Sequence, residues 1–146
     1  DTGWPPAGWS DELRLEMGNW LPDCDWLLLN EVEALGLAGA DLLEQSGKRL
    51  AAQLSGRGGC VIKCGAEGAR LWSAASVQFA AGQPVTVVDT IGAGDSFNAG
   101  FLTALLYRQS SHTALRWGIE VASQAISSSP RRYPSWQQLQ LSNEVR

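Results

Sequence analysis

At 146 residues, with 45% hydrophobic and 18% charged residues, the chain has the composition of a folded domain with a sizeable core, not of a disordered segment. Its formal net charge of −4 argues against general binding to nucleic acid or to an anionic membrane surface, and no apolar run approaches the length of a membrane span. Three cysteines, Cys24, Cys60 and Cys64, make no dense disulfide framework, which points to a reducing cytoplasm.

In chain order, Asp1–Pro6 has the look of a strand end running into a loop, so the chain is expected to be part of a longer molecule. Ser10 suits the N-cap of a helix carrying Leu13, Met17 and Trp20, which Pro22 and Asp23 then break. Trp26-Leu27-Leu28-Leu29 is a continuous apolar run of the kind a strand buried on both faces shows. Asn30 opens a helix, with Glu33 three residues on as in a capping box. A second amphipathic helix carries Leu42, Leu43, Leu50 and Leu54 and ends at Ser55–Gly59.

Cys60–Lys63 reads as strand, turning at Gly65–Gly68 into Arg70–Trp72 and then Val77–Phe79. Cys60 and Cys64 read as small buried hydrophobes more readily than as a metal or redox pair, because His112 is the only histidine and there is no second cysteine pair. Val85–Val88 is β-branched and predicts another strand. Helices are expected at about 94–107, with Phe97, Leu102, Leu105 and Leu106 as its apolar set, and at about 113–127, with Leu115, Ile119, Ala122 and Ile126 on one stripe. Ser127–Pro134 is a polar loop, and a short helix closes the chain after Ser135. Seven tryptophans are scattered without a repeat and read mostly as core or rim packing. The alternation predicts an α/β fold with a largely parallel sheet.

The most informative segment is Asp89-Thr90-Ile91-Gly92-Ala93-Gly94-Asp95, lying between the β-branched run and a helix. Two glycines one residue apart let the backbone turn tightly and present successive N–H groups at the positive end of a helix, which favours an anion. A helix cap with glycine punctuation explains each residue singly but not the two aspartates that bracket the turn. Asp95 would repel a phosphate held there unless its task is to accept a proton from a hydroxyl attacking a transferring phosphoryl group.

That segment with the following Ser96-Phe97-Asn98-Ala99-Gly100 resembles the C-terminal signature of the ribokinase-like (PfkB) carbohydrate kinases. Asn30-x-x-Glu33 resembles that family's second motif, and Lys63-Cys64-Gly65-Ala66-Glu67-Gly68 its nucleotide-side loop, in the family's order. The resemblance implies a ribokinase-like sheet sandwiched by helices, with residues 1–146 as the C-terminal nucleotide-binding and catalytic portion and the N-terminal half missing. It implies transfer of a phosphoryl group from ATP with Mg2+ to a sugar hydroxyl. Asp95 is then the catalytic base, and the amides of Gly92, Ala93 and Gly94 form the anion hole. Asn30 and Glu33 set the magnesium-bound phosphates, Glu33 through metal-bound water. Lys63, Gly65 and Gly68 lie on the nucleotide side, and Asp89 and Thr90 start the turn, Asp89 beside a possible monovalent-cation site.

Two stretches depart from the pattern. Ile119 stands where a late helix often supplies an asparagine near the adenine, and Ser127–Pro134 carries Arg131 and Arg132 where many members place a glycine loop by the cation. The sequence leaves open a nucleoside or vitamin-like alcohol as acceptor. It also leaves open a catalytically idle fragment that binds nucleotide weakly or serves a partner, with homo-oligomers formed through surface the missing half would cover.

Overall fold

The apolar run after Asp25 forms β1 (Trp26–Asn30) of a four-stranded sheet, in a computed structural model that describes residues 2–144. β1 pairs in parallel with β2 (Gly59–Lys63), and β2 pairs antiparallel with β3 (Gly68–Ser73). β4 (Val77–Ala81) completes the order β1-β2-β3-β4, so the α/β class holds and the sheet is mixed. The helices are α1 (Asp11–Trp20), α2 (Glu31–Ala38), α3 (Leu43–Ala51), α4 (Ala93–Leu106), α5 (Ser111–Ile126) and α6 (Trp136–Glu144). Among the described residues no helix is long and apolar enough to cross a membrane.

The chain forms two compact units. The first holds the residues up to Gly65 together with Ala69–Gln78, and the second holds Ala66–Gly68 and everything from Phe79 onward. In the first, Leu27 and Leu29 of β1, Cys60 and Ile62 of β2, Leu37 of α2, Leu50 of α3 and Trp72 of β3 close one apolar core. Ser10 caps α1 by accepting the Leu13 N–H at 3.2 Å, as its position predicts. The Arg14 Nε of α1 donates to the Gly36 carbonyl of α2 at 2.8 Å, which ties the two helices. Cys60 and Cys64 are both buried in this core, and burial pushes the Cys60 thiol up to about 12.

In the second unit α4 and α5 pack face to face through small residues. Phe97 and Phe101 stack with ring centroids 6.1 Å apart, and Ala104, Ala114, Leu115 and Trp117 are fully buried. A Cβ at Gly100 would stand 2.6 Å from the Trp117 carbonyl, so the two helices meet almost backbone to backbone there. Of the expected apolar set, Phe97 is buried, Leu105 is half-buried, and Leu102 and Leu106 are exposed, whereas Phe101 and Ala104 lie inside. Trp72 and Trp117 are core residues, while Trp4, Trp20 and Trp136 stand largely exposed.

Val85–Val88 is not a strand. Its segment runs outside any ladder, and the N–H groups of Val88 and Asp89 both donate to the Ile126 carbonyl at the end of α5, at 2.7 and 3.2 Å. A helix end, not a neighbouring strand, accepts the Val88 N–H, and the valines remain exposed.

Candidate functional site

Of the expected site residues, Asn30, Glu33, Lys63 and Gly65 lie in the first unit, and Gly68 and the glycine segment from Asp89 to Asp95 in the second. In the first, the parallel register of β1 and β2 sets Asn30 opposite Lys63, so two of the motifs end side by side at the carboxyl edge of adjacent parallel strands. That edge is where ligands gather in open α/β sheets, because helices start there with their N–H groups outward. Asn30 Oδ1 accepts the Glu33 N–H at 2.8 Å, and Glu33 Oε2 accepts the Asn30 N–H at 2.9 Å. The capping box is therefore complete, and it holds Glu33 with 7% of its surface exposed. One oxygen of this carboxylate, Oε2, is thereby engaged by the backbone.

Gly65 and Gly68 differ in kind. Gly65 has φ +53° and open space where a side chain would be, which suits a ligand approaching the backbone. At Gly68 (φ +115°) a Cβ would run into the Ala80 carbonyl and the Gly82 nitrogen, so its space is filled by the chain itself. Gly82 N donates to the Glu67 carbonyl at 3.0 Å in the same contact. The second glycine of this loop therefore serves backbone packing.

In the second unit the glycine segment folds as a chain of local turns. Asp89 Oδ1 accepts the Ile91 N–H at 3.0 Å, and the Thr90 carbonyl accepts the Ala93 N–H at 3.1 Å. Gly92 then caps α4 with φ +71° and ψ +13°, a left-handed conformation that glycine adopts without strain, and its carbonyl accepts the Ser96 N–H at 2.9 Å. No side chain caps this helix. The Gly94 and Asp95 amides lie in the first turn, where helix geometry offers no intrahelical acceptor. Of the three amides expected in the anion hole, that of Ala93 is engaged by the Thr90 turn. Asp95 is exposed in that same first turn, where a carboxylate is favoured by the helix dipole.

Arg131 joins this group from the loop after α5. Its Nη2 donates to Asp89 Oδ2 at 2.6 Å, across 42 positions of sequence. The Ile91 N–H and the Arg131 guanidinium hold the Asp89 carboxyl below its ordinary value, and Asp89 in turn raises Arg131. Arg131 thus sets a positive charge at the residue whose surroundings the resemblance associates with a monovalent cation. The sequence marks Arg131 only as a departure from a glycine loop; a long-range ion pair leaves no local signal. Ile119 is buried in α5. Among the described residues no three His, Cys, Asp or Glu side chains gather as a metal-ligating group.

The chain belongs to the pfkB family of carbohydrate kinases, whose pattern matches residues 1–138. Among individual relatives, it is 50% identical to the 1-phosphofructokinase of Escherichia coli (strain K12) over 70 residues, 47% of this chain and 22% of that protein. It is 34% identical to the ribokinase of Haemophilus influenzae over 106 residues, 70% of this chain and 35% of that one. The crystal structure of a probable sugar kinase from Rhizobium etli CFN 42 superposes with a TM-score of 0.76 at 25% identity, covering 92% of this chain and 40% of its own. The chain therefore spans well under half the length of the relatives it matches.

Proposed function

We propose that residues 1–146 are the nucleotide-binding and catalytic portion of an ATP-dependent carbohydrate kinase in which Asp95 is the base. The observation that carries this reading is the opening of α4: a left-handed Gly92 cap with no side-chain cap hydrogen bond, first-turn amides without an intrahelical acceptor, and an exposed carboxylate among them. A side-chain cap would engage those amides; without one they remain donors of the kind an oxyanion meets at a helix start.

In the reaction a sugar hydroxyl oxygen attacks the terminal phosphorus, the bond to the bridging oxygen breaks, and ADP leaves. The hydroxyl proton passes to Asp95. The Gly94 and Asp95 amides, with Gly92 and Ala93 shaping the turn, stabilise the charge on the transferring group, so that most of the rate comes from positioning and neutralisation. Magnesium, when bound with the nucleotide, neutralises the phosphate charge. Asn30 and Glu33 are the residues that would hold the hydrated metal, Lys63 adds charge on the same sheet edge, and the open Gly65 lets the nucleotide approach. Asp89 and Thr90 hold the turn. A sugar acceptor is supported by the names of the relatives, 1-phosphofructokinase and ribokinase.

The test is transfer of labelled terminal phosphate from ATP to a panel of free and phosphorylated sugars, with and without magnesium. Magnesium-dependent labelling of one sugar class is the expected result. Silence across the panel, with no ATP binding by calorimetry, would remove the reading.

A further inference from the structure

We propose that Arg131 is a positioning residue of the phosphoryl-transfer site: by gripping Asp89 it fixes the turn that opens α4 and so aims the first-turn amides and Asp95. The inference rests on the kinase reading above and assigns a role to a residue outside the motifs that suggested it.

Three contacts make the case. Asp89 has both carboxylate oxygens engaged, Oδ1 by the Ile91 N–H at 3.0 Å and Oδ2 by Arg131 Nη2 at 2.6 Å. The first bond shapes the turn and the second anchors it to the loop after α5. Arg131 Nη1 stands 3.1 Å from where a Cβ of Gly92 would be, so the same guanidinium lies against the residue that caps α4. The backbone reinforces the arrangement, since Val88 and Asp89 both donate to the Ile126 carbonyl, and Ser128 Oγ donates to the Gln124 carbonyl while accepting the Arg132 N–H, each at 2.7 Å. The loop that carries Arg131 is thus tied at its base to α5 and at its tip to the turn.

An ion pair this exposed, with 30% of the Arg131 and 46% of the Asp89 side chain open to solvent, stabilises a fold little. Its effect lies in geometry. The segment before Asp89 has no ladder to hold it, and α4 has no side-chain cap, so the turn between them is fixed chiefly by these bonds. Guanidinium suits the task because it keeps its charge and its planar fork at any working pH. Displacing amides from a transferring group by even an ångström costs roughly 100-fold in rate.

The test compares wild type with Arg131→Ala, Arg131→Lys and Arg132→Ala in steady-state transfer from ATP to the sugar that wild type accepts, with thermal melting alongside. Arg131→Ala is expected to lower kcat roughly 100-fold with the KM for sugar little changed, and added guanidinium ion is expected to restore part of the loss. Arg131→Lys keeps the charge without the fork and should fall between, with a native melting transition; it carries the test should the alanine variant not fold. Arg132→Ala should match wild type. A kcat within about two-fold of wild type for Arg131→Ala, or a loss that guanidinium does not restore and that follows the melting transition, overturns the proposal. Absence of transfer by wild type itself would instead overturn the kinase reading.

Discussion

Asn30 and Glu33 satisfy one another in both directions: each side chain accepts the other residue's backbone N–H, at 2.8 and 2.9 Å. The pair starts α2 at the carboxyl edge of β1, so a single device serves helix initiation and presents a carboxylate beside the sheet. These two duties separate by substitution. Glutamine at position 33 keeps a capping oxygen and removes the charge. Glu33→Gln should leave the urea midpoint almost unchanged and raise the magnesium concentration needed for half-maximal transfer; an unaltered magnesium titration returns Glu33 to capping alone.

Asn30→Ala removes the cap itself. Loss of an asparagine N-cap costs about 1 kcal/mol. The variant should unfold at a correspondingly lower denaturant concentration, measured by circular dichroism, and an unshifted midpoint would contradict the cap's contribution.

Gly92→Ala places a Cβ on a left-handed residue and against Arg131 Nη1 at 3.1 Å. The conformation alone costs roughly 1–2 kcal/mol for an L-residue. Both melting temperature and transfer rate should fall, the rate further than stability predicts because the α4 amides shift with the turn. A variant with wild-type kcat would show that the Gly92 turn does not shape the site.

The Asp89 carboxyl is held below its ordinary value of 3.8. A depressed carboxylate contributes stability that is present above the unfolded value and is lost as pH falls through the folded one. The stability difference between wild type and Asp89→Asn should therefore be largest near neutrality and shrink below about pH 4. A difference that grows on acidification would contradict the pairing with Ile91 and Arg131.

With its thiol at about 12, Cys60 is almost entirely protonated at pH 8 and is also buried. A thiolate fraction of about one in 10,000 makes it inert to disulfide reagents in the folded state. Cys24, half-buried and outside the strand, should react first, and Cys60 only on unfolding. Fast labelling of Cys60 in native buffer would argue against its place in the core.

The elements that depend on local chemistry were legible in the sequence. Ser10 and Asn30 are caps whose side chains act within three residues, and Leu27–Leu29 needs only burial on both faces to read as a strand. Gly92 signals its left-handed turn by being glycine. What the sequence hid depends on distant partners. Val85–Val88 has strand propensity, but its last N–H, that of Val88, goes to Ile126 at the end of α5. Leu102 and Leu106 suggested the buried face of α4, whereas close approach at Gly100 turns Phe101 and Ala104 inward. Gly68 also makes room for the Ala80 carbonyl of β4, a packing duty that its place in the motif does not reveal. Arg131 reaches Asp89 over 42 residues, a pairing that no periodicity announces.

The central claim is tested most directly by the rate of phosphoryl transfer in Asp95→Asn, measured with nucleotide affinity and melting temperature on the same sample. The expected rate is lower by roughly 10²–10⁴-fold, with folding and ATP binding near wild type, because the amide keeps the shape of the carboxylate and loses its capacity to take the proton. Transfer within about ten-fold of wild type would contradict it, and the opening of α4 would then hold an anion without supplying the base.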